Sequence, residues 1–209
     1  MVADWIRRQF TSAGITQFPP GDYLPQVQGQ FGGAVMLMID VSGSMYGQPI
    51  ENAVIGARAF VREAVEAGYK VGVMLWHTTV VAVSEPDRDP APALGILTQA
   101  AAGGGNALDG PLFKCHDILN KFTGDRVVAL FGDGDLTPKQ LVLEKVAVMK
   151  ADNIRFVTRG LGATAAEEFG SISDEDPETA RVESVDELAS GIASMASSLK
   201  SSGLLGKSS

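Results

Sequence analysis

Asp40, Ser42 and Ser44 stand two residues apart, in the first positions beyond the apolar run Val35-Met36-Leu37-Met38-Ile39. A carboxylate and two hydroxyls at this spacing can aim three oxygens at one point if the turn is tight, and Gly43 permits that. These are hard donors, suited to Mg²⁺ or Mn²⁺ and poor for softer metals. A second apolar run, Val127 to Phe131, ends in Gly132-Asp133-Gly134-Asp135, where Asp133 supplies another carboxylate from the neighbouring position. Two carboxylates in one apolar crevice repel each other and lose hydration, and a divalent cation relieves both costs. Taken alone, the first turn has a plainer reading, in which Asp40 caps the helix that follows and Ser42 and Ser44 are turn residues.

The elements that would position these groups can be read from hydrophobic period. Val35 to Ile39 is a continuous apolar run of strand length, the mark of a strand buried on both faces. Pro49 opens a helix whose face carries Ile50, Val54, Ala57, Val61, Ala64 and Val65 until Gly68 stops it. Val71 to Trp76 and Val80 to Val83 read as a hairpin turning at His77-Thr78-Thr79. Helices are expected at about 93–101, 108–122 and 138–152, and further strands at 127–131, 154–157 and 180–182. Ser184 with Glu187 forms a capping-box pattern ahead of a helix carrying Leu188, Ile192, Met195 and Leu199. The order predicts an α/β fold: a doubly wound, mostly parallel central sheet with one antiparallel edge strand and helices on both faces. In such folds ligands gather at the carboxyl ends of the strands, where both acid-rich turns fall. Residues 1–33 read as an arm with a short helix from Asp4 to Phe10, residues 34–200 as the domain, and 201–209 as a flexible tail.

Composition narrows the function classes. The 209 residues are 45% apolar and carry a formal net charge of −8, so nucleic acid and anionic membrane surfaces would be repelled overall. Cys115 is alone, and neither a signal peptide nor a run of about 20 apolar residues is present. A cytoplasmic protein is expected. Nine acids between Glu167 and Glu187, with Arg181 the only base, read as a solvated loop and helix start. His77 and His116 have no Cys or His at metal-ligand spacing and read as structural. Gly206-Lys207-Ser208 lacks the earlier glycine and the following helix that a phosphate loop requires.

The segment Met38-Ile39-Asp40-Val41-Ser42-Gly43-Ser44-Met45 resembles the opening motif of von Willebrand factor A domains, the Asp-x-Ser-x-Ser of their metal-ion-dependent adhesion site. Gly103-Gly104-Gly105-Asn106-Ala107-Leu108-Asp109-Gly110 is similar to the second motif, and Val128 to Asp135 to the third. The resemblance covers about residues 34–200 and implies a Rossmann-like sheet. It implies that Ser42 and Ser44 bind Mg²⁺ or Mn²⁺ directly, that Asp40 and Asp133 hold it mostly through water, and that a partner's Glu or Asp fills an open position. Asn106 stands where the family has Thr; its carboxamide oxygen is also a hard donor, on a longer arm. Asp109 and Asp135 are secondary candidates, each able instead to cap a helix.

Three functions follow as expectations. The first is a metal-dependent protein-interaction module without catalysis, resembling bacterial stand-alone domains that serve as adaptors for MoxR-type AAA⁺ ATPases or in stress systems. The second is a Mg²⁺-dependent phosphatase with Asp40 as nucleophile, which would need a second Asp where Ser42 stands. The third is a structural domain with an empty crevice.

Overall fold

The computed structural model describes residues 33–134 and 136–202. All of the expected 1–33 arm except Gly33, its Asp4 to Phe10 helix included, lies outside the described residues, as do Asp135 and the tail beyond 202. The chain begins with strand β1, Ala34–Asp40, followed by a short 3₁₀ turn, Gly43–Met45, and helix α1, Gln48–Glu66. Strands β2, Lys70–Trp76, and β3, Val80–Val83, form the hairpin. Helix α2, Ala91–Ile96, runs into a 3₁₀ turn at Leu97–Gln99, so the helix expected at 93–101 is shorter and tighter at its end. Helix α3, Asp109–Leu119, strand β4, Arg126–Gly132, helix α4, Lys139–Ala151, and strand β5, Ile154–Leu161, follow. Helix α5, Ala163–Gly170, strand β6, Arg181–Val182, and helix α6, Leu188–Ser202, complete the described chain.

The sheet order is β3-β2-β1-β4-β5-β6. All pairs are parallel except β2 with β3. This is the mostly parallel, doubly wound α/β sheet that alternating strands and helices predict. β1 lies at its centre, and every one of its residues is buried. Val35, Leu37 and Ile39 join one core with α1 and α6, while Ala34, Met36 and Met38 join the other with α3 and α4. Side chains alternate across a strand, so a continuous apolar run is what two covered faces demand. The winding reverses between β1 and β4, which opens a crevice at their carboxyl ends. Asp40 ends β1 on one side of that crevice, and Asp133 follows β4 on the other.

Three expectations are corrected. Helix α5 falls where a solvated acidic stretch was anticipated; Ala165, Ala166 and Phe169 on it are buried, a face too short to stand out among its acids. Several of those acids are tethers rather than solvated charges. Glu175 pairs with the nearly buried Arg159 at 2.6 Å, and Asp174 takes both Lys150 Nζ at 2.6 Å and the Phe156 amide at 2.7 Å. Ser184 caps only a 3₁₀ turn, Val185–Glu187, and its side chain makes no capping bond; the Glu187 amide donates to the Ser184 carbonyl instead. β5 runs four residues further than the apolar stretch Ile154 to Val157, because Thr158 and Arg159 are buried with partners of their own.

The opposite pole of the sheet is latched by Tyr69, Asp125 and Arg155. Tyr69 Oη donates to Asp125 Oδ2 at 2.5 Å, and Arg155 reaches the same carboxylate at 2.7 Å. Burial works against the Asp125 charge, but the guanidinium and the phenol outweigh it and hold the carboxyl below its usual range. A depressed carboxyl stabilises the fold above its unfolded pKa, and that contribution fades as pH falls through the folded value. The pair is partly exposed, so Asp125→Asn is expected to cost only about 1–2 kcal/mol at pH 7. In urea titrations the deficit should shrink below about pH 4; a deficit independent of pH would contradict the latch.

Candidate metal centre

Three loops meet over the crevice. The first, from Val41 to Gly47, is fixed by the Val41 amide donating to Trp76 O at 2.8 Å and by the buried Met45. The second is the glycine loop. Gly103 N donates to Val41 O at 2.8 Å and Gly43 N to Gly104 O at 3.2 Å, two bonds that stitch the first two loops together. Gly104 has φ +75°, and a Cβ there would lie 2.9 Å from the His77 ring, so both backbone and space demand glycine. His77 is structural, as expected: its carbonyl accepts from Ala107 N at 3.1 Å and its Nδ1 accepts the Thr78 amide at 2.6 Å. The third loop follows β4 and is joined to the second by Leu108 N donating to Thr137 O at 2.8 Å.

The predicted oxygens run in a line from core to solvent. Asp40 is fully buried and Ser42 nearly so, Asp133 is half-buried, and Ser44 is exposed. Asp40 Oδ1 accepts the Ser42 amide at 2.7 Å. Ser44 Oγ donates to Asp133 Oδ1 at 2.9 Å and lies 3.0 Å from Ser42 Oγ. A hydroxyl has one proton, so Ser44, having given its own to Asp133, accepts from Ser42. Asn106 reaches the third loop: a Cβ on Gly134 would fall 2.0 Å from its Nδ2, 3.1 Å from its Cγ and 3.9 Å from its Cβ, so the carboxamide points its NH₂ end at that glycine, the residue after Asp133. Asp109 is the first residue of α3, where the cap position itself falls to Leu108. The plainer reading of Asp40 as a cap is not what forms, because its carboxylate binds the Ser42 amide within the turn, ahead of α1.

Asp40 Oδ2 is the telling atom. It is buried and has no hydrogen-bond partner. Burial pushes the Asp40 carboxyl up to about 6, the Ser42 amide and hydroxyl pull it back, and the Asp133 charge adds to the rise while the Asp133 amide offsets part of it. A buried carboxylate oxygen without a donor is expensive, and such a group usually has a cation or a ligand to answer it. Among the described residues no group of three or more His, Cys, Asp or Glu converges. The donor set is therefore two carboxylates, two hydroxyls and a nearby carboxamide, all hard oxygens, and it fits Mg²⁺ or Mn²⁺.

Residues 35–135 match the family model described as von Willebrand factor type A domain. Over those residues the chain is similar to von Willebrand factor type A domains. No curated protein matches it by sequence. Among solved structures it is similar to the vWF domain of the type V pili tip protein Mfa5 from Porphyromonas gingivalis. That likeness has a TM-score of 0.72 at 11% identity, over 86% of this chain and 98% of that one. It is similar too to a von Willebrand factor type A protein from Catenulispora acidiphila, with TM-score 0.64, 19% identity and coverage of 81% and 43%. The pilus adhesin SpaC of Lactobacillus rhamnosus GG gives 0.65 at 14% identity, over 82% of this chain and 30% of that one. At these identities the likeness is one of fold. Type A domains are an interaction and adhesion fold. No described helix is long and apolar enough to cross a membrane.

Proposed function

We propose that this type A-like domain is a metal-dependent binding module: Asp40, Ser42, Ser44, Asn106 and Asp133 hold Mg²⁺ or Mn²⁺, and a Glu or Asp of a partner protein completes the site. The observation that carries the reading is the unpartnered Oδ2 of Asp40 beneath a line of oxygens that ends in solvent at Ser44. When bound, the cation supplies a positive field facing outward. The protein's own contribution is to hold the donors, with the neutral Ser44 hydroxyl outermost, so that the field is not fully cancelled before an outside anion arrives. Titration of Mg²⁺ or Mn²⁺ into the wild type by calorimetry should give binding heat that Asp40→Ala lacks. Equal heats from both would sink the reading, and no heat from the wild type at millimolar cation would leave a structural domain with an empty crevice.

The phosphatase reading finds less support. Asp40 is fully buried, with Oδ1 engaged by the Ser42 amide, so it is poorly placed for in-line attack on a phosphoryl group. Its would-be general acid is Ser42, a hydroxyl with the wrong acidity. Turnover of a generic phosphate ester with Mg²⁺ would revive it. For the biological role, the proposal is a cytoplasmic adaptor of the bacterial stand-alone kind, for a MoxR-type AAA⁺ ATPase or a stress system. A partner captured on the wild type should be released by EDTA; capture indifferent to EDTA would argue against this mode.

A further inference from the structure

An open cleft of about 330 Å³ adjoins the metal centre, lined by Tyr46, Gly47, Ile50, Glu51, Ala101 and Ala102. Its walls are the flanks of two of the three loops. Tyr46 follows the turn that carries Ser44, and Ala101 and Ala102 lead into the stitched glycines. Two residues span at most about 7 Å, so the cleft lies within one or two residues' reach of a carboxylate bound at the centre.

The lining is apolar apart from Glu51 and the Tyr46 hydroxyl. Ile50 and Ala102 rest on the core beneath, and Gly47, at φ +85°, leaves open space where a Cβ would stand. Tyr46 is 82% exposed, the most exposed of the large apolar side chains described, while its neighbour Met45 does the anchoring. A lone exposed apolar residue is ordinary, but a tyrosine on the rim of an apolar cleft beside a ligand site is the kind of rigid, amphipathic surface that concentrates binding energy. The volume is at the lower end for ligand pockets and the mouth is wide, which suits one side chain of a protein better than a cofactor. The rim carries negative charge at Glu51, so a second acid is disfavoured there.

We propose that this cleft sets the specificity of the site: it receives a large apolar side chain one or two residues from the partner's Glu or Asp, and Glu51 turns away an additional acid. The inference rests on the metal-dependent reading above. The partner is thus a protein segment in which an acidic residue is flanked by Leu, Ile, Met or Phe rather than by further acids.

The test is selection from a fully random displayed heptapeptide library in Mn²⁺, with elution by EDTA, against wild type, Tyr46→Ala, Ala101→Trp and Glu51→Gln. The exposed positions of these residues leave the fold intact, which thermal melting checks. Wild type should enrich Glu or Asp with a large apolar residue at a constant offset within two positions. Tyr46→Ala, and Ala101→Trp by filling the cleft, should bind the selected peptide about tenfold more weakly while keeping EDTA sensitivity. Glu51→Gln should admit acids at the apolar neighbour's flank. Acidic peptides released by EDTA but with no apolar preference, or with the same preference in Tyr46→Ala and Ala101→Trp, would overturn the cleft and leave the metal reading standing. Enrichment indifferent to EDTA, or no acidic enrichment, would overturn both.

Discussion

Asp40→Asn is expected to melt above the wild type in EDTA at pH 7, by about 3–6 °C, and to lose all response to Mg²⁺. The carboxyl is raised from 3.8 to about 6 by burial first. A carboxyl raised in the folded state favours folding while it is protonated, below about pH 4, and that advantage is lost as pH rises through about 6. By pH 7 the buried charge costs on the order of 3 kcal/mol, at about 1.4 kcal/mol for each pKa unit. Asn removes the charge and keeps an oxygen for the Ser42 amide, but places an NH₂ where Oδ2 has no partner, so about 1–2 kcal/mol is recovered. For a domain of this size each kcal/mol moves the midpoint by about 2–4 °C. In the wild type the cation should do the same work and more, about 2.7 kcal/mol at a hundredfold excess over Kd. The two proteins therefore exchange rank when Mg²⁺ is added. Calorimetric melts with and without the ion decide it: Asp40→Asn melting below the wild type in EDTA, or shifting with Mg²⁺ as the wild type does, would show that Oδ2 is not an atom waiting for a cation.

The same atom explains what the sequence could and could not disclose. β1 and β4 were legible because every residue of a strand covered on both faces is apolar, and the run stops where the buried face gives way to the loops. Asp40, Ser42 and Ser44 stood out by their period-two spacing beyond a strand end, a pattern that a capped turn also fits, and Asp133 by closing a second buried run. Asn106 was found only through its resemblance to a motif, and its contact with Gly134 could not be foreseen, since it depends on two loops 28 residues apart in number meeting over a glycine. Helix α5 went unread because its buried face is four residues, three of them alanine or glycine, interrupted by two acids. Glu175 and Asp174 were misjudged because an acid with a buried arginine partner and one in water look alike in a sequence. Tyr46 carried no signal at all: its importance comes from the cleft beside it.

A large loss of stability is expected from a change outside the line of oxygens. Gly160→Ala should destabilise the protein by about 2–4 kcal/mol. Gly160 pairs with Gly132 across β4 and β5, and a Cβ on it would lie 2.4 Å from the backbone C of Ala165 and N of Ala166. Backbone cannot turn aside as a flexible side chain can, so α5 must lift from the sheet. Phe169 on that helix lies over Gly132, where a Cβ would stand 2.9 Å from its ring and 3.1 Å from Asp40 Oδ2. The paired glycines therefore let α5 close down on the strand ends beside the buried carboxylate, and lifting it exposes the floor of the metal centre. Gly95→Ala and Gly110→Ala serve as controls, because both lie within helices with nothing within 4 Å of the new methyl. Alanine there lowers the entropy of the unfolded chain and should stabilise by about 0.5–1 kcal/mol. Urea denaturation of the three variants should give opposite signs. A Gly160→Ala midpoint equal to that of the wild type would mean that α5 does not approach β5 this closely, and that the cover over Asp40 is looser than described.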